Sequence, residues 1–216
     1  MRKIDKGREP ESLRLFKRNN PNLYYKDLTE VERIDIRNAC TREQFYLCAY
    51  CCQTISGQST DTMNEHVEPQ SLANTRTVDF SNIVASCRNQ NQCDAAHKNE
   101  LLTLTPFMPE CETELRFKFS GRVEGLTDRA KKTIKVLNLG DDESNNKALI
   151  EKRKQIIDGL IWQEYGDPQH LQLEDDQDVL EILLDTLNEP KDGRLESFSP
   201  VLHGILREFL SGFYGR

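Results

Sequence analysis

Two pairs of cysteines constrain the fold of this chain more than any other feature. Cys48 and Cys51 enclose two residues, and Cys87 and Cys93 form a second, wider pair later in the chain. Two such pairs separated by a loop supply four thiolates, the ligand set of a tetrahedral structural zinc site. Cys52 directly follows Cys51 and is an alternative ligand, although C-x-x-C is the commoner knuckle. We therefore predict a Zn²⁺ site formed by Cys48, Cys51, Cys87 and Cys93.

The remaining features of the cysteine pattern point to a reducing compartment. The chain has seven cysteines, an odd number, and its first residues, MRKIDKGREPES, lack the apolar stretch of a signal peptide. No apolar run approaches the ~20 residues that a membrane helix needs. We therefore expect a cytoplasmic protein without membrane contact, whose cysteines bind metal and do not form disulfides. Cys40 and Cys111 have no partner at ligand spacing and are predicted to be core thiols.

The distribution of charge limits the partners that the chain can bind. The formal net charge is −7, with a net +3 in residues 1–47 and a net −9 in residues 163–196. Phosphate contacts require Lys and Arg, so an acidic chain is a poor free-standing nucleic-acid binder. The acidic segment is either a solvated helix face or a surface turned toward a basic partner.

Helical periodicity flanks the cysteine region on both sides. Asp27 and Thr127 are the predicted N-caps of the second and third helices. Between 47 and 111 the periodicity gives way to short β-prone pieces. We predict an α+β fold, a mainly helical protein with a small zinc-stabilised module inserted, divided into 1–46, 47–111 and 112–216. The predicted helices cover 11–18, 28–46, 128–138, 145–165, 175–188 and 199–213.

An ordered set of polar residues accompanies the cysteine pairs. The chain reads Asn-Glu-His-Val-Glu-Pro over 64–69, has Asn82 five positions before the third cysteine of the site, and reads Cys-Asp-Ala-Ala-His-Lys over 93–98. A lone histidine is more often a surface or core residue, so no single member of this set is informative. In this order, however, the combination resembles the HNH endonuclease family over about residues 48–99.

The resemblance implies a ββα-metal fold and metal-dependent hydrolysis of phosphodiester bonds. The general base that it implies is His66, because an unperturbed imidazole pKa near 6.5 suits proton removal around neutral pH. Glu65 stands where most members have Asp, and it is the implied ligand of a catalytic Mg²⁺ or Mn²⁺. Asn82 matches the asparagine that braces the loop carrying the base.

The third position of the motif falls on Asp94, directly after the last zinc cysteine. An aspartate oxygen is a suitable Mg²⁺ ligand; the alternative is that Asp94 merely caps the helix that follows. His97 lies one turn later on the same helix face and is the alternative third ligand. Lys98 is either a phosphate contact or a solvated surface lysine.

Within the HNH family, the chain looks closest to the PtuB nuclease subunits of Septu and retron-associated anti-phage systems. The similarity extends to the opening Met-Arg-Lys-Ile-Asp-Lys, to Pro10 and to Glu43-Gln44. It implies a PtuA-like ATPase subunit as partner and a nucleic acid, DNA or RNA, as substrate. The alternatives are a non-catalytic zinc-binding adaptor, which the intact catalytic set argues against, and a stand-alone HNH nuclease, which the acidic balance argues against.

The helical C-terminal region is longer than a nuclease core of about fifty residues requires. We expect helix 199–213, which ends in several aromatic and apolar residues, to dock an apolar groove on the partner. The acidic helix near 174–189 is expected to steer the two proteins together. The alternative is that these helices only pack against each other as a scaffold. The residues concerned are Phe209, Leu210, Phe213 and Tyr214, and Asp175, Asp176 and Asp178.

Overall fold

The computed structural model describes residues 1–142, 144–165 and 177–214, and in this part of the chain it has an α+β architecture. Seven α-helices and two small antiparallel sheets account for its regular structure. The helices are α1 (Glu11–Asn19), α2 (Glu30–Glu43), α3 (Asp94–His97), α4 (Asp128–Leu137), α5 (Lys147–Tyr165), α6 (Gln177–Asn188) and α7 (Ser199–Tyr214). The strands are β1 (Thr62–His66), β2 (Ile83–Cys87), β3 (Leu115–Phe117) and β4 (Val123–Gly125).

The helix ends follow local capping chemistry. Thr127 caps α4 as predicted, since its hydroxyl accepts a hydrogen bond from the Ala130 N–H at 3.2 Å. The prediction that Asp27 caps α2 is wrong. Thr29 is the cap, because Glu32 three residues later reaches back to the Thr29 N–H at 2.8 Å and completes a capping box. Asp27 instead accepts a hydrogen bond from the Tyr24 N–H in the preceding turn.

The β1–β2 hairpin is the element on which the candidate site is built. Its register pairs Thr62 with Cys87 at one end and His66 with Ile83 at the other. The helix α2 packs against both strands, and the side chain of Gln44, just after α2, donates to the Ala85 carbonyl and accepts from the Ala85 N–H. Gln44 thereby pairs with β2 as a neighbouring strand would.

A second sheet, β3–β4, was not predicted from the sequence. Each strand has only three residues, so the alternation of apolar and polar side chains is too short to detect. Gly121 in the connecting turn has φ +81°, and a Cβ there would lie 2.2 Å from the Ile150 carbonyl oxygen. The turn therefore packs directly on the backbone of α5.

One hydrophobic core runs through all three predicted segments, from Met1 to Leu206. Leu13, Ile36, Ile83, Leu104 and Leu137 are each fully buried in it. None of the described helices combines the length and apolar character needed to span a membrane.

The predicted docking residues lie outside the part of the chain whose side chains are described. They are Asp175, Asp176 and Asp178 and, in the last turns of α7, Phe209, Leu210, Phe213 and Tyr214.

Candidate metal centre and adjoining groove

Four of the seven cysteines form a compact buried cluster, which we call the cysteine centre. The sulfur atoms of Cys48, Cys51, Cys87 and Cys93 all lie within 4.8 Å of one another. These are the four predicted ligands. Cys52, the alternative ligand, is also buried but is not part of this cluster.

The local backbone explains why these sulfurs meet. Cys48 and Cys51 flank a tight turn, after which Cys52 takes a positive φ of 63°. Cys87 ends β2, and Cys93 directly precedes α3, where its N–H donates to the Leu137 carbonyl of α4 at 2.9 Å. Hairpin, turn and helix are thus joined at one point.

The donor set and its spacing fit a zinc ion. A tetrahedral site with Zn–S bonds of ~2.3 Å places sulfur atoms about 3.8 Å apart, and the Cys51 and Cys87 sulfurs are 3.9 Å apart. Burial raises the pKa of Cys93 well above its usual value. Because burial disfavours the charged thiolate, four thiolates at this place need a bound cation to balance their charge. The four cysteines can hold such a cation as a structural metal site.

Gln92 is a part of this centre that sequence reasoning missed. Its Nε2 lies 3.7 Å from the Cys51 sulfur and 3.6 Å from the Cys87 sulfur, and it donates to both. Asn146, at the start of α5, donates to the Gln92 Oε1 at 2.9 Å and fixes the amide. Hydrogen bonds of this kind orient metal ligands and stabilise their charge. The residue before the fourth cysteine gave no sequence signal for this role.

An open groove of about 420 Å³ runs along β1 of the hairpin. Of the residues predicted for the catalytic site, Glu65, His66, Asp94 and Lys98 line this groove, whereas Asn82 and His97 lie behind it. We call this feature the groove. Its charged and aromatic lining residues are Tyr25, Glu30, Arg33, Arg37, Glu65, His66, Asp94 and Lys98.

His66 ends β1 and is held in one orientation. Its Nε2 lies 2.8 Å from the Thr77 carbonyl oxygen, and the ring meets Tyr25 edge-on at 4.8 Å. A carbonyl only accepts, so Nε2 carries the hydrogen and Nδ1 keeps a lone pair. Burial lowers the pKa of His66 below 6.5, so the ring is neutral at pH 7. It therefore has the protonation state that a general base requires.

Two carboxylates share the space next to this imidazole. Burial, followed by a hydrogen bond with Glu65, raises the pKa of Asp94 to about 8. Burial also raises the pKa of Glu65. Two adjacent carboxylates disfavour each other's ionisation, and a divalent cation bound between them removes that repulsion.

His97 is directed at Glu65. Its Nδ1 lies 2.5 Å from Glu65 Oε1, and its Nε2 lies 2.7 Å from the Glu100 carbonyl oxygen. The Tyr50 hydroxyl donates to the same Glu65 oxygen at 3.3 Å. Both ring nitrogens of His97 are thus engaged and His97 does not line the groove, whereas Asp94 lies beside Glu65 and faces the open space where a metal ion would bind.

Asn82 closes the loop that connects the two strands of the hairpin. Its Oδ1 accepts from the Glu68 N–H at 2.8 Å, and its Nδ2 donates to the Glu68 carbonyl at 2.9 Å. The Val67 N–H also donates to the Asn82 carbonyl. These bonds fix the backbone immediately after His66.

Two arginines of α2 face the hairpin across the groove and were not predicted. Arg37 is nearly buried, with 9% of its side chain exposed, and its one salt bridge is to the exposed Glu30 at 3.5 Å. Arg33 binds backbone carbonyls near the start of α2, including that of Lys26 at 3.0 Å. The i, i+4 spacing of Arg33 and Arg37 was the sequence signal that both lie on one helix face.

No protein-family model matches this sequence, and no curated protein matches it. The chemistry of the groove is therefore interpreted from its own residues.

Proposed function

We propose that this protein is a metal-dependent HNH-type endonuclease that hydrolyses phosphodiester bonds in nucleic acid. One observation carries the proposal: a neutral, oriented imidazole lies beside a carboxylate pair in an open groove. His66 supplies the base, and Glu65 and Asp94 supply hard oxygen ligands. A closed cysteine centre at the other end of the same hairpin is consistent with the zinc-stabilised version of this fold.

The residues of the groove and of the loop behind it each have a separate role in the proposed reaction. A divalent Mg²⁺ or Mn²⁺ held by Glu65 and Asp94 would supply positive charge for the phosphate and the departing oxygen. Nδ1 of His66 takes a proton from the attacking water as the water oxygen bonds to phosphorus. The phosphorus–oxygen bond on the far side breaks, and its oxygen takes a proton from solvent in the open groove. Asn82 keeps the loop after His66 in place during these steps.

The charge lining the groove suits a phosphodiester better than the net charge of the chain suggests. Arg37 and Lys98 face the two carboxylates from different elements, and both line the groove. With a divalent cation offsetting Glu65 and Asp94, these basic groups remain to attract phosphate.

The proposed complex with a PtuA-like ATPase subunit depends on the sequence resemblance alone. Lys6 and Glu43, two residues that carry this resemblance, form a largely buried ion pair, and Lys6 also donates to the Ile83 carbonyl at 2.7 Å. Glu43 and Gln44 therefore support the hairpin from behind. The resemblance thus extends to the scaffold of the proposed active site.

A cleavage assay with a matched histidine control tests the proposal. Purified protein is incubated with plasmid DNA, single-stranded DNA and RNA in Mg²⁺ or Mn²⁺, alone and with the ATPase encoded beside it. We expect His66→Ala to reduce cleavage by about 10²- to 10⁴-fold, the usual effect of losing a general base. His203→Ala is the control, because His203 is half-buried on α7 and does not line the groove.

The zinc content of His66→Ala should match that of the wild type and the protein should stay folded, with a melting temperature lowered only by the lost contacts with Thr77 and Tyr25. Asn82→Ala should lower activity less than His66→Ala, because Asn82 orients the loop and does not exchange protons. Full activity of His66→Ala would refute the mechanism. Absence of cleavage by the wild-type protein with every substrate, with and without the ATPase, would support the zinc-binding adaptor instead.

A further inference from the structure

Arg153, on the buried face of α5, is a cation without a carboxylate partner. It is 1% exposed, among the largest fully buried side chains of the described chain. Its Nη1 donates to the Leu139 carbonyl at 2.7 Å and to the Gly121 carbonyl at 3.3 Å. Its Nε and Nη2 have no hydrogen-bond partner, and no described carboxylate forms a salt bridge with it.

Such an arrangement is unfavourable unless another negative group balances the charge. A guanidinium remains protonated in proteins, and a buried charge without a counter-charge is strongly destabilising. The Phe117 ring, 5.2 Å from the Arg153 guanidinium carbon, attracts the cation but does not neutralise it. The two carbonyl acceptors likewise carry only partial charge.

The segment of the chain that carries Arg153 also lies beside the cysteine centre. The helix α5 lies against the C-x-x-C turn, since Lys152 donates to the Gln53 side chain at 3.4 Å. Just before α5, Asn146 contacts Gln92, which itself donates to the cysteine sulfurs. Burial lowers the pKa of Arg153, and the neighbouring Cys51, Cys52 and Cys93 oppose that shift. Arg153 is thus buried in a segment whose other residues contact both Gln92 and the end of the C-x-x-C turn.

We propose that Arg153 is the internal counter-cation of a zinc-tetrathiolate centre. Four thiolates and one Zn²⁺ leave a net charge of −2 in a site shielded from water. Arg153 supplies one positive charge to this site, and the amide of Gln92 supplies hydrogen-bond donors. In this role Arg153 makes α5, and therefore the C-terminal half of the chain, contribute directly to metal binding. It does not depend on nuclease activity.

Zinc affinity, measured by chelator competition on the zinc-loaded full-length protein, tests this role. Arg153→Met keeps an unbranched, apolar side chain but removes the charge. We expect Arg153→Met to weaken zinc binding by about 10- to 100-fold, as typical for the loss of an outer partner of a metal site. Arg153→Lys should recover part of the affinity. The control is Lys152→Met on the exposed side of the same turn, which should stay within about twofold of the wild type.

A second readout separates charge compensation from packing. Arg153→Met should lower the melting temperature of the zinc-loaded protein and leave unchanged or raise that of the chelated protein, in which an uncompensated charge has been removed. Equal losses in both forms, or an unchanged zinc affinity, would overturn the proposal. If Arg153→Met does not fold, Arg153→Gln and Arg153→Lys provide the same comparison, and equal zinc affinities for this pair would overturn it.

Discussion

The cysteine centre and the groove share one hairpin and one short helix, yet they differ in the properties that decide what a metal ion can do. The cysteine centre offers four sulfur atoms of one kind, each residue at most 2% exposed. The groove offers three carboxylates, an imidazole and three basic groups, and it is open to solvent. Closed tetrahedral sulfur sites are structural, whereas sites that react keep open positions.

Adjacent residues connect the two sites. Cys93 belongs to the cysteine centre, and Asp94, the next residue, lines the groove. Fixing the Cys93 sulfur on a metal ion therefore also fixes the start of α3 and the position of the Asp94 carboxylate. The cysteine centre, by holding the backbone, thus determines the geometry of the oxygen ligands in the groove, where the proposed chemistry takes place.

The largest effect should come from removing one thiolate of the cysteine centre. We expect Cys51→Ser to lose zinc and to destabilise the protein by roughly 4 kcal/mol or more, because metal binding and folding are coupled. Cys52→Ser is the matched control: Cys52 is the adjacent residue and equally buried, but it lies outside the cluster. It should keep its zinc and lose only about 1–3 kcal/mol, for placing a hydroxyl in an apolar site.

Elemental analysis and urea unfolding of the two variants make this comparison. Zinc retention by Cys51→Ser together with zinc loss by Cys52→Ser would reverse the ligand assignment. Absence of zinc from the wild-type protein would show that the cysteine centre is not a zinc site.

A smaller effect, confined to the groove, should follow from changing Asp94. We expect Asp94→Asn to raise the Mg²⁺ concentration needed for half-maximal cleavage by about tenfold or more, with zinc content unchanged. His97→Asn is the comparison, because His97 contacts Glu65 from behind and its nitrogens are engaged. It should lower stability more than metal affinity. An unchanged metal requirement in Asp94→Asn, with a raised one in His97→Asn, would move the third ligand to His97.

The smallest effect, on stability alone, should come from changing Glu114, which pairs with Arg129 outside both sites. The hydrogen bond from Arg129, followed by that from Thr127, lowers the pKa of Glu114 to about 2. A lowered carboxylate pKa stabilises the folded state above the unfolded value near 4.5, and this contribution disappears as the pH falls toward 2. Glu114→Gln should therefore lower the melting temperature slightly at pH 7 but not at pH 2–3. Glu151→Gln, exposed on α5, is the control, and a loss for Glu114→Gln that is independent of pH would contradict this assignment.

The parts of the site that the sequence predicted are those with a fixed spacing. Cys48 and Cys51 enclose two residues and Glu65 adjoins His66, so both patterns can be recognised in the sequence without knowledge of the fold. Gln92 gave no such signal, because its role depends on an amide that Asn146, far away in sequence, holds in place. Arg153 gave none either, because it reaches its site only through the packing of α5. Arg37 was indicated only by its i, i+4 spacing from Arg33. The cap at Thr29 was missed although Thr29-Glu-Val-Glu32 makes a local capping box, since Asp27 was an equally acceptable cap residue.

The fold shows the same division. Helices with long apolar repeats were predicted within a few residues, whereas the three-residue strands β3 and β4 were not. Their pairing is stabilised by contacts of β4 with α4, which follows it directly, and of β3 with α7, which is far away in sequence. Short strands whose stability comes from tertiary contacts carry little local information.

The most direct test of the two-site account is a crystal of the wild-type protein grown with Mn²⁺ and measured at the zinc and manganese absorption edges. The account predicts one zinc signal among the sulfurs of Cys48, Cys51, Cys87 and Cys93. It predicts a separate manganese signal at about 2.0–2.2 Å from oxygens of Glu65 and Asp94. A groove without manganese, or a manganese ion bound to His97 in place of Asp94, would contradict it.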